Sequence, residues 1–361
     1  MTYGGTDTFV INLCKGLVHN GYDVTVVLST DPSKQEVREK ELADTGVRII
    51  KTCSLQGGIK AKLRHLKLLY QELRNGKYDV FQTNIDLFNG PQMLVSWLAG
   101  VPIRECHSHN SEQGRELHDG RTWKVRLYQT VMRWLCWNFS NRRGGCSEAA
   151  LDFLFQNKWH GDSHSSVIHN GIDLQKYQNE LDSSEKRKML GISQPKVVCT
   201  VGRISFQKNP EFLLNIFYEL RKIRNDVALA WCGTGEEQEK IKEQIHSYGL
   251  EECVYLLGAR TDISEILQCS DVFFLPSRFE GLGIVLVEAQ VAGLQCIMSD
   301  VIPAEVDCGL CIPISLNEEP AKWADRMCKV LDGSMNAMLD DEKLRKYSVE
   351  YMIEEMEALF R

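Results

Sequence analysis

Short apolar runs recur along this chain between longer segments whose apolar positions return every three or four residues. The runs predict strands at 24–28, 47–51, 80–83, 103–107, 144–147 and 166–169 in the first half, and at 197–201, 227–232, 254–257, 272–275 and 296–299 in the second. The amphipathic segments predict helices at 8–19, 60–75, 122–138, 211–223, 236–248 and 263–268, with one or two more over 341–361. Strands that alternate with helices imply parallel sheets covered on both faces. The polar stretch 173–194 is the expected join between two α/β halves. A second Rossmann-like unit then begins at the strand over 197–201.

Composition narrows the class. The 361 residues exceed one ordinary core and suit two domains. Hydrophobic content of 43% and charged content of 25% fit a globular protein in water. A net charge of −7 argues against general nucleic-acid binding. The thirteen cysteines are odd in number and scattered, which suits reduced thiols in a cytoplasmic protein. Cys308-Gly309-Leu310-Cys311 lacks the second ligand pair that zinc would need, so no metal is expected. No secretory leader is read at the start, and no run is long enough to span a bilayer.

The chemistry concentrates in Ser277-Arg278-Phe279-Glu280-Gly281-Leu282-Gly283-Ile284-Val285-Leu286-Val287-Glu288. A strand, a glycine loop and a helix N-terminus make an anion site, because free N–H groups and the helix dipole both favour phosphate. Glu280 in the loop and Glu288 in the helix add hydroxyl acceptors about 10 Å apart along the axis. Either glutamate alone would fit an ordinary surface helix.

Gly202-Arg203, followed by Lys208, ends a strand and offers two cations, which suit a diphosphate. Two solvated loop cations are the alternative. Gly233-Thr234-Gly235-Glu236 either contacts a nucleotide or turns the chain. His107 and His109 close a strand in the first half, pointing to one side. Substrate contact is preferred to a metal or to plain loop residues, with His109 ahead of His107. Asn170-Gly171-Ile172-Asp173 reads as a turn at the junction. The basic stretches 60–69 and 121–137, the second rich in Trp, either lie on an anionic membrane or cover a sheet with their charges in water.

Taken in order, these residues resemble the retaining family 4 glycosyltransferases of GT-B architecture, nearly from end to end. The resemblance rests on Gly4-Gly5-Thr6-Asp7-Thr8-Phe9, His107-Ser108-His109-Asn110, Cys146-Ser147-Glu148, Asn170-Gly171-Ile172-Asp173, Gly202-Arg203 with Lys208, and Glu280 through Glu288. The region from Ser299-Asp300-Val301-Ile302-Pro303 looks like the bacterial branch that builds capsular and exopolysaccharides. The resemblance implies two Rossmann-like domains facing across a cleft: an acceptor domain over 1–175, with 341–361 packing back on it, and a nucleotide-sugar donor domain over 176–340. It implies transfer of a hexose with retention from a nucleotide-sugar, UDP-linked in preference to GDP-linked, to a saccharide or lipid-linked saccharide. Arg203 and Lys208 would stabilise the departing diphosphate. Glu280 would bind sugar hydroxyls and Glu288 the ribose. Gly202, Gly233 and the amides of Gly281, Leu282 and Gly283 would line the donor site, and Gly5 would approach the phosphate. His109 would touch the transferred sugar or the acceptor. No cofactor or metal is expected, and the place of action is the cytoplasm or the inner face of the plasma membrane.

Two departures stand out. The family begins with a strand before its first glycine loop, and here that strand is absent. Its absence implies exposed backbone on both neighbouring strands and a chain less stable than one extended by about ten residues. Gln295 stands where the family often has Pro, with little expected effect. The competing readings are a sugar-nucleotide epimerase of the same fold and a truncated, inactive saccharide-binding relative.

Overall fold

The computed structural model describes residues 4–111, 122–178, 181–334 and 337–361. The first residue of the basic stretch 121–137 lies outside them. The chain forms two compact units, Met1–Ile172 with Lys346–Arg361, and Asp173–Arg345. Each is a Rossmann-like α/β unit with parallel strands.

In the first unit, β1 (Thr25–Leu28) pairs with β2 (Arg48–Lys51). A separate sheet runs β3 (Val80–Thr83), β4 (Ile103–Ser108), β5 (Arg142–Gly145) and β6 (Ser165–Val167). Among the described residues, β1 and β3 each have one paired neighbour. Val27 of β1 and Phe81 of β3 nevertheless pack on one apolar cluster with Leu69, Leu73, Ala99 and Val101.

Helix Gly5–His19 starts three residues earlier than its periodicity predicts. One of its faces, through Phe9, Leu13 and Leu17, packs on Ile168 and on Met352, Ile353 and Met356 of the last helix, Val349–Phe360. Another face sets Ile11 and Cys14 against Leu28, Leu42 and Val47. The Asn170–Asp173 turn has a local job here: Ile172 donates its N–H to the Tyr347 carbonyl at 2.8 Å and so anchors the entry to that last helix.

The predicted strand at 144–147 lies two residues earlier, as β5. Ser147 cannot continue the strand because it caps helix Glu148–Phe155, its hydroxyl accepting from the Ala150 N–H at 3.1 Å.

The second unit holds one six-stranded sheet in the order β12-β11-β10-β7-β8-β9. These strands are β7 (Lys196–Val201), β8 (Val227–Cys232), β9 (Val254–Gly258), β10 (Val272–Leu275), β11 (Gln295–Ser299) and β12 (Cys311–Ile314). Its core joins Val198, Leu229, Phe274 and Ile297 of the sheet to Phe217 and Trp323 of the flanking helices. β12 escapes the pattern analysis because it is four residues long and contains Pro313, which an edge strand tolerates. The order places β7 beside β10, where the chain direction of strand addition reverses. Open α/β sheets bind ligands outside the carboxyl ends of strands at such a point.

Candidate active site

The loops that leave β7 and β10 carry the strongest of the expected residues. Lys208 follows β7 in the short 3₁₀ turn Phe206–Lys208, and Glu280 follows β10. They meet, with Lys208 Nζ 2.5 Å from Glu280 Oε1. Glu280 is only 6% exposed, so its charge needs this partner. The Ser277 hydroxyl donates to the same carboxylate at 2.6 Å, and the Gln207 amide donates to Oε2 at 3.3 Å.

The two loops are also tied through the backbone. The Arg278 N–H donates to the Gln207 carbonyl at 2.8 Å, and the Arg278 guanidinium lies over the Phe206 ring at 4.2 Å. Ser299, at the end of β11, donates its hydroxyl to the Ser277 carbonyl at 2.6 Å. Ser277 and Gln207 therefore hold Glu280 in place, and neither carries a sequence signal of its own.

Gly281 and Leu282 are buried in the turn, and Gly283 (φ 84°) starts helix Ile284–Val291. No side-chain hydrogen bond caps that N-terminus, and its first turn is closed by the Leu286 N–H donating to the Gly283 carbonyl at 2.9 Å.

Glu288 points back to the start of the unit. Burial raises its pKa, while a hydrogen bond from the Tyr177 hydroxyl and the charge of Lys176 oppose the rise. The Tyr177 phenol is itself pushed up, first by burial and then by the Glu288 charge. Tyr177 lies at the end of the 3₁₀ turn Leu174–Tyr177 and was not foreseen, since nothing local marks it.

Arg203 is separate from the Lys208–Glu280 pair. Its side chain is exposed, and its Nε lies 3.1 Å from Glu236 Oε2. That contact joins the Gly202–Arg203 loop to the Gly233–Glu236 loop. Their backbones nearly touch: a Cβ on Gly233 would sit 1.9 Å from the Gly202 carbonyl oxygen. The Gly-Thr-Gly-Glu segment is thus the wall against which the Gly202–Arg203 loop rests.

Gly5 and His109 belong to the first unit. Gly5 is the first residue of its helix. His109 follows β4 and is 7% exposed. Its ring lies 4.7 Å from that of His107 and 4.9 Å from Phe9, and its Nε2 is 2.9 Å from Asn84 Oδ1. Behind it, His107 Nδ1 is 3.0 Å from Glu105 Oε1, both residues being fully buried. Burial pushes Glu105 up and brings His107 down to about 3, so it works against charge on both partners of the pair. The room for it comes from Gly144 on β5, where a Cβ would lie 2.4 Å from both partners. Strand alternation between Glu105 and His107 was the available signal for this pair.

Two family models cover most of the chain. Residues 3–176 match Glycosyltransferase Family 4, and residues 182–307 match Glycosyl transferases group 1. A protein of Bacillus subtilis named as glycosyltransferase EpsF is 31% identical over 335 residues, which is 91% of this chain and 85% of that one. The chain belongs to the family 4 type of GT-B glycosyltransferases. The Escherichia coli UDP-Gal:alpha-D-GlcNAc-diphosphoundecaprenol alpha-1,3-galactosyltransferase is 30% identical over 253 residues, 66% of this chain and 62% of its own. Among solved structures, Anabaena HepE in complex with UDP-glucose aligns with a TM-score of 0.80 at 19% identity, covering 98% of this chain and 95% of that one. That likeness establishes the fold of this glycosyltransferase.

Proposed function

We propose that this glycosyltransferase moves a hexose from a UDP-sugar to a saccharide or lipid-linked saccharide, with retention, in the synthesis of cell-surface polysaccharide. The Lys208–Glu280 pair at the sheet's reversal point, beside an uncapped helix N-terminus, carries this reading. A diphosphate brings negative charge to Lys208, Arg203 and the helix N-terminus, and leaves Glu280 to accept from sugar hydroxyls. Glu288, oriented by Tyr177, is left for the ribose hydroxyls. His109 contacts the transferred sugar or the acceptor. Side-chain cations neutralise the leaving group, so the reaction needs no metal. Support for the donor comes from HepE, solved with UDP-glucose, and from the E. coli relative, named for UDP-Gal and a diphosphoundecaprenol acceptor.

The acceptor class adds a membrane to this reading. No helix among the described residues is long and apolar enough to cross one. Helix Asn89–Ala99 packs between Gly58–Gly76 and Trp123–Phe139. These helices leave Trp97, Leu98, Trp123, Leu127, Val131 and Trp134 exposed, with Lys124 and Arg126 exposed among them. Apolar rings mixed with cations suit an anionic bilayer surface.

The test is a thermal-shift and calorimetric screen with UDP, GDP, ADP and their sugar conjugates, with and without EDTA, followed by NMR of any product. A stabilisation by UDP-sugars that EDTA leaves intact is expected. Selective binding of another nucleotide would overturn the donor assignment. Conversion of the sugar nucleotide without an acceptor would assign an epimerase instead.

A further inference from the structure

The carboxyl ends of β3 and β4 lie side by side, and the loops that leave them are cross-tied. Asn84, after β3, accepts through Oδ1 from His109 Nε2 at 2.9 Å. Asn110, after β4, donates through Nδ2 to Asp86 Oδ2 at 2.6 Å. Each loop thus holds a polar side chain of the other.

These ties leave two particular atoms over. His109 is kept neutral by burial and by the neighbouring His107 ring, so it carries one ring proton. That proton sits on Nε2, where Asn84 accepts it, and Nδ1 is a bare lone pair. Among the described residues, buried His109 Nδ1 and buried Asp86 Oδ1 make no close hydrogen bond, although the His109 backbone N–H lies near enough to the Asp86 carboxylate to lower its pKa. Both are acceptors. Asp86 also adopts a left-handed backbone (φ 51°), which disfavours any side chain with a Cβ. Asn, Asp and Gly tolerate it best, and of these only Asp brings two acceptor oxygens.

Two buried acceptor atoms that close no hydrogen bond of their own select a particular chemistry. A phosphate or carboxylate would meet lone pairs with lone pairs. A sugar would bring hydroxyl groups, each a donor, to both. We propose that Asp86 and His109, tethered by Asn84 and Asn110, form a saccharide-hydroxyl site at the ends of β3 and β4, with Asp86 a binding residue for the acceptor sugar. This rests on the glycosyl-transfer reading for its biological meaning, but the site is defined by its own geometry and lies wholly within the first unit. Asp86 stands inside Asn84-Ile85-Asp86-Leu87, which has no motif character in the sequence.

The experiment uses the full chain labelled with ¹³C at the histidine rings. The His109 signal is identified by its loss in His109→Gln. Methyl glycosides of glucose, galactose, mannose and N-acetylglucosamine are titrated into the tens of millimolar, with inorganic phosphate as comparator. At least one glycoside should move the His109 signal, and phosphate should not. Asp86→Asn, which places a donor where Oδ1 was, should weaken that glycoside at least tenfold. Asp86→Gly relieves the backbone and should weaken it equally while melting no lower than the wild type, so a folding defect is separated from a binding defect.

If no glycoside moves the signal, if phosphate moves it instead, or if Asp86→Asn binds as tightly as the wild type, the site is wrong. UDP-glucose affinity, measured by calorimetry on the same samples, reports on the donor reading alone. Loss of UDP-glucose binding with an intact glycoside response overturns the donor assignment and keeps this site. The reverse pattern does the opposite.

Discussion

Lys208 Nζ and Glu280 Oε1 meet at 2.5 Å although 72 positions separate them in the chain, because β7 and β10 lie next to each other in the second sheet. The pair joins the two groups that the reaction would use separately, a cation for phosphate and a carboxylate for hydroxyls. Removing Lys208 leaves a buried carboxylate with its hydroxyl and amide donors but without the opposite charge of Lys208. Lys208→Met should therefore destabilise the protein by about 3–5 kcal/mol, the usual cost of stranding a buried charge. Adding Glu280→Ala should recover part of that loss. Urea denaturation of both singles and the double mutant measures the coupling, and additive losses would show that the pair is not a unit.

The two glutamates should differ in what they damage. Glu280→Ala is expected to reduce sugar transfer far more than UDP affinity. Glu288→Ala is expected to weaken UDP affinity first. Tyr177→Phe should follow Glu288→Ala in direction, by several-fold, since it removes a hydroxyl partner of Glu288 of the ordinary kind, worth about 0.5–1.5 kcal/mol. Calorimetric titration of UDP against the three variants tests the order. Intact UDP affinity in Tyr177→Phe would leave that hydroxyl a packing group.

Gly233→Ala should be among the most damaging small changes in the chain. The added methyl would sit 1.9 Å from the Gly202 carbonyl oxygen, which belongs to backbone and cannot swing away. Gly249→Ala is a fair control, because Gly249 is left-handed (φ 64°) with nothing within 4 Å of its Cβ position. The control should cost about 1–2 kcal/mol for the backbone alone, and Gly233→Ala clearly more. Similar melting points for the two would argue that the loops can separate at little cost.

The buried histidines predict a pH signature. His107 is lowered to about 3 and His109 well below its ordinary value, both by burial. Unfolded histidines take up protons near pH 6.5, while these do not until far lower. Their contribution to stability is therefore full above pH 6.5 and lost as the pH falls from there towards 3. Glu105, raised by burial, acts oppositely, since its folded form holds a proton that the unfolded form gives up near pH 4.5. Asp86, also raised, acts in the same sense as Glu105. His109→Gln removes one destabilising proton uptake and leaves the two carboxyls. Its unfolding free energy should fall less steeply than the wild type's between pH 6.5 and 4.5, by up to about 1.4 kcal/mol per pH unit. Parallel curves would mean that His109 titrates normally.

The exposed aromatic face predicts lipid binding. Vesicles containing phosphatidylglycerol should sediment the protein, and phosphatidylcholine vesicles should do so less. Trp123→Ala with Trp134→Ala should weaken that binding, and raised salt should weaken it further. Binding that ignores both tryptophans would leave this face to another role.

The alternation of short apolar runs with amphipathic segments, read locally, determined the α/β class and nearly every strand of the second unit. It also drew attention to Glu280, Glu288, Lys208 and His109, because strand ends followed by glycine or polar loops are local features. It could not pair them. Which strand neighbours which depends on how sheets bury their faces, and that is a property of the whole chain.

The tertiary structure alone brought Lys208 to Glu280, Tyr177 to Glu288, and Asp86 beside His109. It also separated β1–β2 from the sheet that starts at β3, and turned Asn170–Asp173 into the anchor of the last helix. Periodicity along a strand records only whether a side chain is covered. What covers it, and which buried polar atom is left to meet a ligand, is decided by residues far away in sequence that packing brings close.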